Sequence, residues 1–176
     1  MRVAIYSRCE RVRLELNGKV IGEQPVSEAT QLAARFEVPY VPGELRATGL
    51  IGGREVAHVS FHTAGAPARL RLTPDRSTIH SDRNDLSFVT VEVVDKEGDL
   101  VPDAAIHVRF DIRGSGELAA VGSGNPKLPE SFQQPERTTF EGRCLAIVRP
   151  IGRSGKVILR AEAEGLLPAV TEIIVQ

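Results

Sequence analysis

Apolar and polar side chains alternate along most of the chain, which is the pattern of β-strands that bury one face. In the first third, Val12, Leu14 and Leu16 alternate with arginine and glutamate, and residues 32–38 alternate in the same way. The segment 27–29 leaves open a short helix, because a serine there precedes Glu28 in the manner of a helix cap. The alternation over 32–38 nevertheless favours a strand.

Turn signals separate these runs. An Asn-Gly pair at 17–18 and a Gly-Gly pair at 52–53 stand between extended segments. Such pairs favour two-residue hairpin turns, because both central residues of a type I′ turn need positive φ. The segment 63–67, Thr-Ala-Gly-Ala-Pro, interrupts the alternation and predicts a domain junction.

The second half repeats the same pattern. Val89, Val91 and Val93 alternate with polar residues, as do the apolar positions of 106–112 and 157–161, and an apolar run over 170–175 closes the chain. No amphipathic segment is long enough for a crossover helix, which excludes parallel α/β architectures. The chain is therefore predicted to be all-β, with two tandem antiparallel sandwich domains, 1–64 and 67–176, the first clipped at its N-terminus.

Composition and charge exclude several classes of protein. The 176 residues carry 22 Lys and Arg against 23 Asp and Glu, for a net charge of −1, which excludes a broad electrostatic surface for nucleic acid or anionic membrane. No apolar run approaches the roughly 18 residues that span a bilayer, and no signal-peptide pattern is present. Two cysteines cannot build a disulfide framework or a structural zinc site.

The candidate chemistry of the chain is sparse. No phosphate-binding loop or nucleophile elbow occurs, so no catalytic residue and no cofactor-binding residue is predicted. His58 and His62 would lie roughly 13 Å apart on one strand, too far to share a metal ion, and no metal ligand is assigned. The aspartates between 75 and 103 leave calcium open as a minor alternative to turns and edges. Cys144 is predicted to be a buried free thiol, with a bond to Cys9 as the weaker alternative.

One long segment breaks the strand pattern. Residues 114–139 are rich in glycine and proline, with a short strand allowed over 118–121. A loop of this length in a compact domain is usually a functional or interaction surface. The candidate docking or glycan-contact residues in it are Asn125, Lys127, Glu130, Phe132 and Gln133. Phe132 is the predicted apolar anchor, and the alternative is that it packs into the core of its own domain.

The remaining aromatic side chains give little support to sugar binding. Tryptophan is absent, and five aromatic residues occupy predicted strands and are expected in the core: Tyr6, Phe36, Phe61, Phe88 and Phe110. Sugar faces stack on exposed rings, so a carbohydrate-binding module is the second hypothesis rather than the first.

Several segments taken in order resemble a known family. They include residues 3–7, 12–22, 36–47, 70–76 and 86–95. The first three resemble the sandwich domain that follows the catalytic barrel in bacterial β-galactosidases of glycoside hydrolase family 2. The later ones resemble the C-terminal immunoglobulin-like domain of those enzymes, and also invasin-type repeats.

The resemblance implies a non-catalytic C-terminal accessory region of a β-galactosidase-like hydrolase. Its partner would be the catalytic barrel of the same polypeptide or a partner subunit, with carbohydrate as a further ligand and without nucleic acid or membrane insertion. It implies no activity for this chain, because the family's catalytic carboxylates lie in a barrel of about 250 residues. A periplasmic or extracellular bacterial parent is expected, and an adhesin-like surface repeat is the third hypothesis.

Overall fold

The computed structural model describes all residues from Met1 to Gln176 and divides them into two compact units, Met1–Thr63 and Ala64–Gln176. Both units are built from β-sheets that are antiparallel except for one short pair, which confirms the all-β prediction. The division follows Thr63, within the segment predicted as a junction. No helix is long and apolar enough to cross a membrane.

The first unit contains six strands and one 3₁₀ turn, Glu28–Thr30. The strands are β1 (Arg2–Tyr6), β2 (Arg11–Leu16), β3 (Lys19–Pro25), β4 (Ala33–Glu37), β5 (Glu44–Ile51) and β6 (Arg54–His62). They form a two-stranded sheet, β1-β4, and a four-stranded sheet, β3-β2-β5-β6. The two predicted hairpin turns are confirmed, since Asn17, Gly18, Gly52 and Gly53 all have positive φ.

The second unit contains nine strands. They are β7 (Arg69–Pro74), β8 (Thr78–Ile79), β9 (Ser87–Val94), β10 (His107–Gly114), β11 (Gly116–Gly122), β12 (Glu136–Thr138), β13 (Arg143–Pro150), β14 (Gly155–Glu162) and β15 (Ala169–Val175). One sheet has the order β11-β13-β9-β7, and the other β12-β10-β14-β15-β8. The short β8–β15 pair is parallel and lies at a sheet edge.

The alternation of side chains places a core in each unit. The core cluster of the first unit contains seven buried apolar residues, among them Val12, Leu14 and Phe36, whereas that of the second contains eighteen, dominated by valines such as Val89, Val91 and Val148. Apolar burial drives folding roughly in proportion to area, so the second core is much the stronger.

One expectation about the core is wrong. Tyr6, Phe61 and Phe88 are exposed by 73%, 67% and 39%, although Phe36 and Phe110 are buried as expected. Tyr6 and Phe88 lie on the faces of their strands opposite Ile5 and Val89, which pack in the two cores. Phe61 is paired with Leu45, but no second sheet covers its strand at that point. The long segment 114–139 contains β11, in agreement with the strand allowed over 118–121, and also β12, which was not predicted. Residues 123–135 have no strand structure.

Candidate functional site

The segment 123–135 connects β11 to β12, and its base is fixed by backbone hydrogen bonds. The Val121 N–H donates to the Phe132 carbonyl at 2.8 Å, and the Phe110 N–H donates to the Pro135 carbonyl at 2.8 Å. Within the loop, the Asn125 Oδ1 accepts the Lys127 N–H at 3.0 Å. The loop is therefore an ordered structure tied to the second unit rather than a free tether.

The buried side chain of Arg137 holds the loop by hydrogen bonds to its backbone. Its side chain is only 2% exposed, and its guanidinium donates to the backbone carbonyls of Ser131 at 2.9 Å and Val121 at 3.2 Å. The same group lies 3.5 Å from the Glu130 carboxylate. A planar guanidinium has several N–H donors and can therefore donate hydrogen bonds to several carbonyls at once.

Glu130 is occupied inside the loop. Its carboxylate accepts the Thr138 hydroxyl at 2.9 Å and the Thr138 N–H at 3.3 Å, in addition to the ion pair with Arg137. Its oxygens are therefore used within the second unit, and the structure gives Glu130 a supporting role in the loop.

Phe132 lies at the outer surface of the loop. Its side chain is 62% exposed, and its ring centroid lies 5.0 Å from Cζ of Arg137. A guanidinium over an aromatic face attracts the ring electrostatically and so holds it in place. The location in the domain core, which was the alternative, is not the one observed. Lys127 and Gln133 are exposed beside it, and Asn125 is half-buried.

A second aromatic ring, that of Phe140, lies near the other end of the segment 122–124. A Cβ built at Gly122 would lie 3.8 Å from the Phe132 ring, and one built at Gly124 would lie 3.5 Å from the Phe140 ring. The two rings therefore flank the segment 122–124. Next to them lies an open concavity of about 560 Å³, lined by that segment together with Phe140, Arg143 and Leu145.

The aromatic surface continues onto the outer face of the β11-β13-β9-β7 sheet. Phe88 is paired with Ile147, and Thr90 with Leu145, on the side opposite the core. Sequence reasoning missed this face. The signal was available in β13, where Leu145 and Ile147 interrupt the polar positions expected of a strand with one solvated face.

The other sequence candidates do not converge on a reactive centre. His58 and His62 are exposed and lie beside Glu55 and Glu44 at 3.2 and 3.8 Å. No group of three or more His, Cys, Asp or Glu side chains is placed to hold a metal ion.

Asp95 illustrates how the aspartates of the calcium alternative are used. Its carboxylate accepts three backbone N–H groups, from Gly65 at 2.7 Å, Asp99 at 2.8 Å and Gly98 at 2.9 Å. The Gly65 hydrogen bond is the main cause that lowers the pKa of Asp95. Asp95 is thus used within a turn, and the calcium alternative stays a prediction.

Both cysteines are free, and Cys144 is buried as predicted. Burial raises the pKa of the Cys144 thiol to about 12, so the thiol is neutral at physiological pH. A neutral buried thiol is inert toward nucleophilic chemistry.

Comparison with known families identifies the second unit. The model of glycoside hydrolase family 2 C-terminal domain 5 matches residues 70–172, which is more than half of the chain. The chain belongs to the C-terminal domains of glycoside hydrolase family 2. A second model, a domain of unknown function (DUF4982), matches residues 1–57.

Named relatives agree with that membership. The chain is 40% identical over 168 residues to the β-galactosidase BoGH2A of Bacteroides ovatus, covering 96% of this chain and 20% of that enzyme. It is 29% identical over 163 residues to a β-glucuronidase of Formosa agariphila, covering 92% of this chain and 16% of that enzyme. A solved family 2 member from Bacteroides cellulosilyticus superposes with a TM-score of 0.93 at 36% identity, covering 99% of this chain and 23% of that one.

The chain thus spans about a fifth of the length of the curated relatives it matches. It corresponds to an accessory C-terminal region of family 2, as the resemblance implied.

Proposed function

We propose that this chain is a non-catalytic accessory region that packs on, or spaces, the catalytic barrel of a larger family 2 glycoside hydrolase, and that the whole protein is a β-galactosidase-like enzyme. One observation carries the proposal: the match to a β-galactosidase covers 96% of this chain but only 20% of that enzyme. The remaining length of such a relative is ample for a (β/α)₈ barrel, which needs about 250 residues.

The charge chemistry of the chain supports a non-catalytic role. Glycoside hydrolysis uses a carboxylic acid whose pKa is raised, paired with a second carboxylate at a sugar site. The four carboxyl groups whose pKa departs from its ordinary value all have it lowered: Glu23, Asp85, Glu92 and Asp95. For Glu92, desolvation acts to raise the pKa, but hydrogen bonds and charge attraction from Arg71 and Arg143 together outweigh it. These groups are suited to structural pairing rather than to proton donation.

The activity assay tests this role directly. The purified chain is expected to hydrolyse neither nitrophenyl β-galactoside nor nitrophenyl β-glucuronide above the buffer rate, whereas the full-length protein hydrolyses at least one of them. Turnover by the chain alone that survives further purification and is abolished by one carboxylate substitution would contradict the proposal.

Within this role, the loop 123–135 is the proposed docking surface, with Phe132 as its anchor and Asn125, Lys127 and Gln133 as its polar rim. An exposed aromatic ring fixed from behind by a buried cation loses little side-chain freedom on binding. Anchors of this kind carry a large share of the binding free energy at interfaces.

The substitution Phe132→Ala separates docking from internal packing. Because the ring is 62% exposed, the melting temperature of the chain is expected to change little. Association with the separately expressed catalytic region should weaken roughly tenfold or more, the usual loss for an interface anchor. Tyr40→Ala, at a ring that is 69% exposed in the other unit, serves as the control. Unchanged association, or a large fall in melting temperature, would contradict this use of Phe132.

Carbohydrate binding is the second candidate, favoured by the concavity beside Phe140 and the neighbouring Phe132 ring. Aromatic faces with a few polar groups nearby are suited to stacking on sugar rings. Isothermal titration calorimetry of the chain with galactosides and plant glycans distinguishes carbohydrate binding from docking. If a glycan binds and Phe140→Ala abolishes that binding, carbohydrate binding is favoured. If none of the glycans binds, docking is favoured.

A further inference from the structure

The free edge of β1 presents unused backbone hydrogen-bonding groups. β1 pairs with β4 alone, and the Val38 N–H donates to the Met1 carbonyl at 2.9 Å at the start of this ladder. In an antiparallel pair, residues alternate between those that bond to the partner and those that face away. The N–H and C=O groups of Arg2, Ala4 and Tyr6 therefore point away from β4, with no strand beside them.

An open groove lies along this edge within the first unit. Its volume is about 180 Å³, and it is lined by Ile5 and Tyr6 of β1 on one side and by Ala47, Ala57 and Val59 of β5 and β6 on the other. The lining is largely apolar, so water in the groove is poorly hydrogen-bonded and is favourably displaced by apolar side chains.

The floor of the groove belongs to the core face of the four-stranded sheet. Val59 is paired with Ala47, and Phe61 with Leu45, and both Ala47 and Leu45 take part in the core of this unit. Val59 and Phe61 themselves are 46% and 67% exposed. The two-stranded β1-β4 sheet thus covers the core face of the larger sheet at β2 and β5 but leaves it exposed at β6.

We propose that an extended polypeptide segment, supplied by the part of the family 2 polypeptide that lies outside the matched region, pairs with the free edge of β1 and covers the exposed face of β6. This inference rests on the proposed function, because it draws the segment from the larger hydrolase. Four-fifths of the β-galactosidase relative lies outside its match to this chain, so the donor need not be a separate protein.

Two features select an extended peptide over other ligands. The outward groups of Arg2, Ala4 and Tyr6 repeat every second residue, which is the spacing of a neighbouring strand and not of a sugar. The apolar groove lies on the side to which Val3 and Ile5 point, so one face of the added strand would be buried. Exposed edges in natural proteins are normally covered or blocked, and β1 has no second neighbouring strand, no bulge and no proline.

The pairing with β1 predicts which residue types the added segment carries. About five residues would face β1, and those opposite Val3 and Ile5 would turn their side chains into the groove, where apolar groups fit. The residues opposite Arg2, Ala4 and Tyr6 would face outward and exchange hydrogen bonds with the edge. The expected segment therefore has apolar residues at alternate positions and no proline at the bonded positions.

Hydrogen exchange of single backbone amides tests the proposal. In the 176-residue chain, the amides of Ala4 and Tyr6 should exchange almost as fast as in an unstructured peptide, since they face solvent. In the full-length protein the same amides should exchange roughly a hundredfold or more slowly, because they then lie inside a sheet. The Ile5 amide faces β4 and provides the internal reference in both samples.

The substitution Ala4→Pro tests the bonded edge by a second route. Proline is tolerated on edge strands where the N–H faces outward, but it removes the donor that the added strand needs. In the full-length protein, Ala4→Pro should return the Tyr6 amide to fast exchange, whereas Ala4→Val, which keeps the N–H, should leave it slow. If Ala4→Pro does not fold, the exchange rates of Ala4 and Tyr6 in the unsubstituted chain and in the full-length protein still test the proposal.

Two outcomes would overturn the proposal, and a third tests the proposed function separately. Fast exchange of Ala4 and Tyr6 in a full-length protein that is an active glycosidase would refute strand addition while leaving the proposed function intact. Slow exchange in the chain alone that depends on concentration would show that a second copy is the occupant. Loss of all hydrolytic activity from the full-length protein would instead refute the proposed function, whatever the amides do.

Discussion

Arg137 is the residue on which the candidate docking surface depends most. Its buried guanidinium joins the end of β11, the residues before Phe132 and the carboxylate of Glu130, and it lies against the Phe132 ring. A buried charge of this kind is tolerated only because carbonyls and a carboxylate surround it. Its Nε is buried without a hydrogen-bond partner, so the remaining contacts must compensate for that loss.

The substitution Arg137→Met is expected to destabilise the second unit by about 3 kcal/mol, because it leaves the carbonyls of Val121 and Ser131 and the Glu130 carboxylate without their donor. Urea unfolding measures the change. Arg109→Met is the matched control, since that side chain is 77% exposed and should change stability by no more than about 0.5 kcal/mol. Equal effects of the two substitutions would show that the buried cation is not the support described above.

At this scale the sequence predicted some side chains well and others poorly. Phe132 was singled out because it stood alone among polar loop residues, and its exposure agrees with that interpretation. Arg137 was not singled out, because the sequence pattern predicts that an arginine in a short polar run is exposed to solvent. Nothing local in the sequence shows that the loop folds back over it, so its burial depends on contacts that pattern alone does not contain.

Among the structural elements, the turns were the most predictable, because their conformations are set by the residues themselves. Asn17 and Gly18 have φ of 51° and 75°, as their hairpin requires. Within the long segment, the strand allowed over 118–121 is present as β11, whereas β12 was not predicted, because it is completed by pairing with β10, which lies elsewhere in the sequence. Short strands stabilised by distant partners carry a weak local signal.

The turn that follows β9 gives a prediction about pH. Asp95 is 2% exposed, and its carboxylate accepts N–H groups from Gly65, Gly98 and Asp99, with the Gly65 bond as the main cause of its lowered pKa. A carboxyl group whose pKa is lower in the folded state stabilises that state above its unfolded pKa. That stabilisation is lost as the pH falls through the folded pKa, below the ordinary value of 3.8.

Asp95→Asn should therefore melt at a lower temperature than the unsubstituted chain at pH 7, and the difference should shrink as the pH falls below about 4. Thermal melting followed by circular dichroism between pH 2.5 and 7 measures it. Asp111→Asn is the control, because Asp111 is exposed and paired only with Arg113. A difference between Asp95→Asn and the unsubstituted chain that is the same at every pH would show that the carboxylate charge is not what holds the turn.

On the scale of the whole molecule, the two units differ in how much they bury. The core cluster of the first unit has seven buried apolar residues, and that of the second has eighteen. The alternation in the sequence predicted both sandwiches, but not that part of the first would remain uncovered at β6. That difference depends on how many strands each sheet contains, which the local pattern does not specify.

The two units should therefore behave differently when each is expressed alone. Residues 64–176 are expected to unfold cooperatively, because their core is complete within the unit. Residues 1–63 should fold poorly, since a domain of about 60 residues buries only about 60% of its unfolded surface and this one also exposes Val59 and Phe61. Urea unfolding with circular dichroism distinguishes the two, and the 176-residue chain is the reference. A sharp, cooperative transition for residues 1–63 alone would show that the uncovered face costs this unit little, and would weaken the case that its β1 edge needs a further strand.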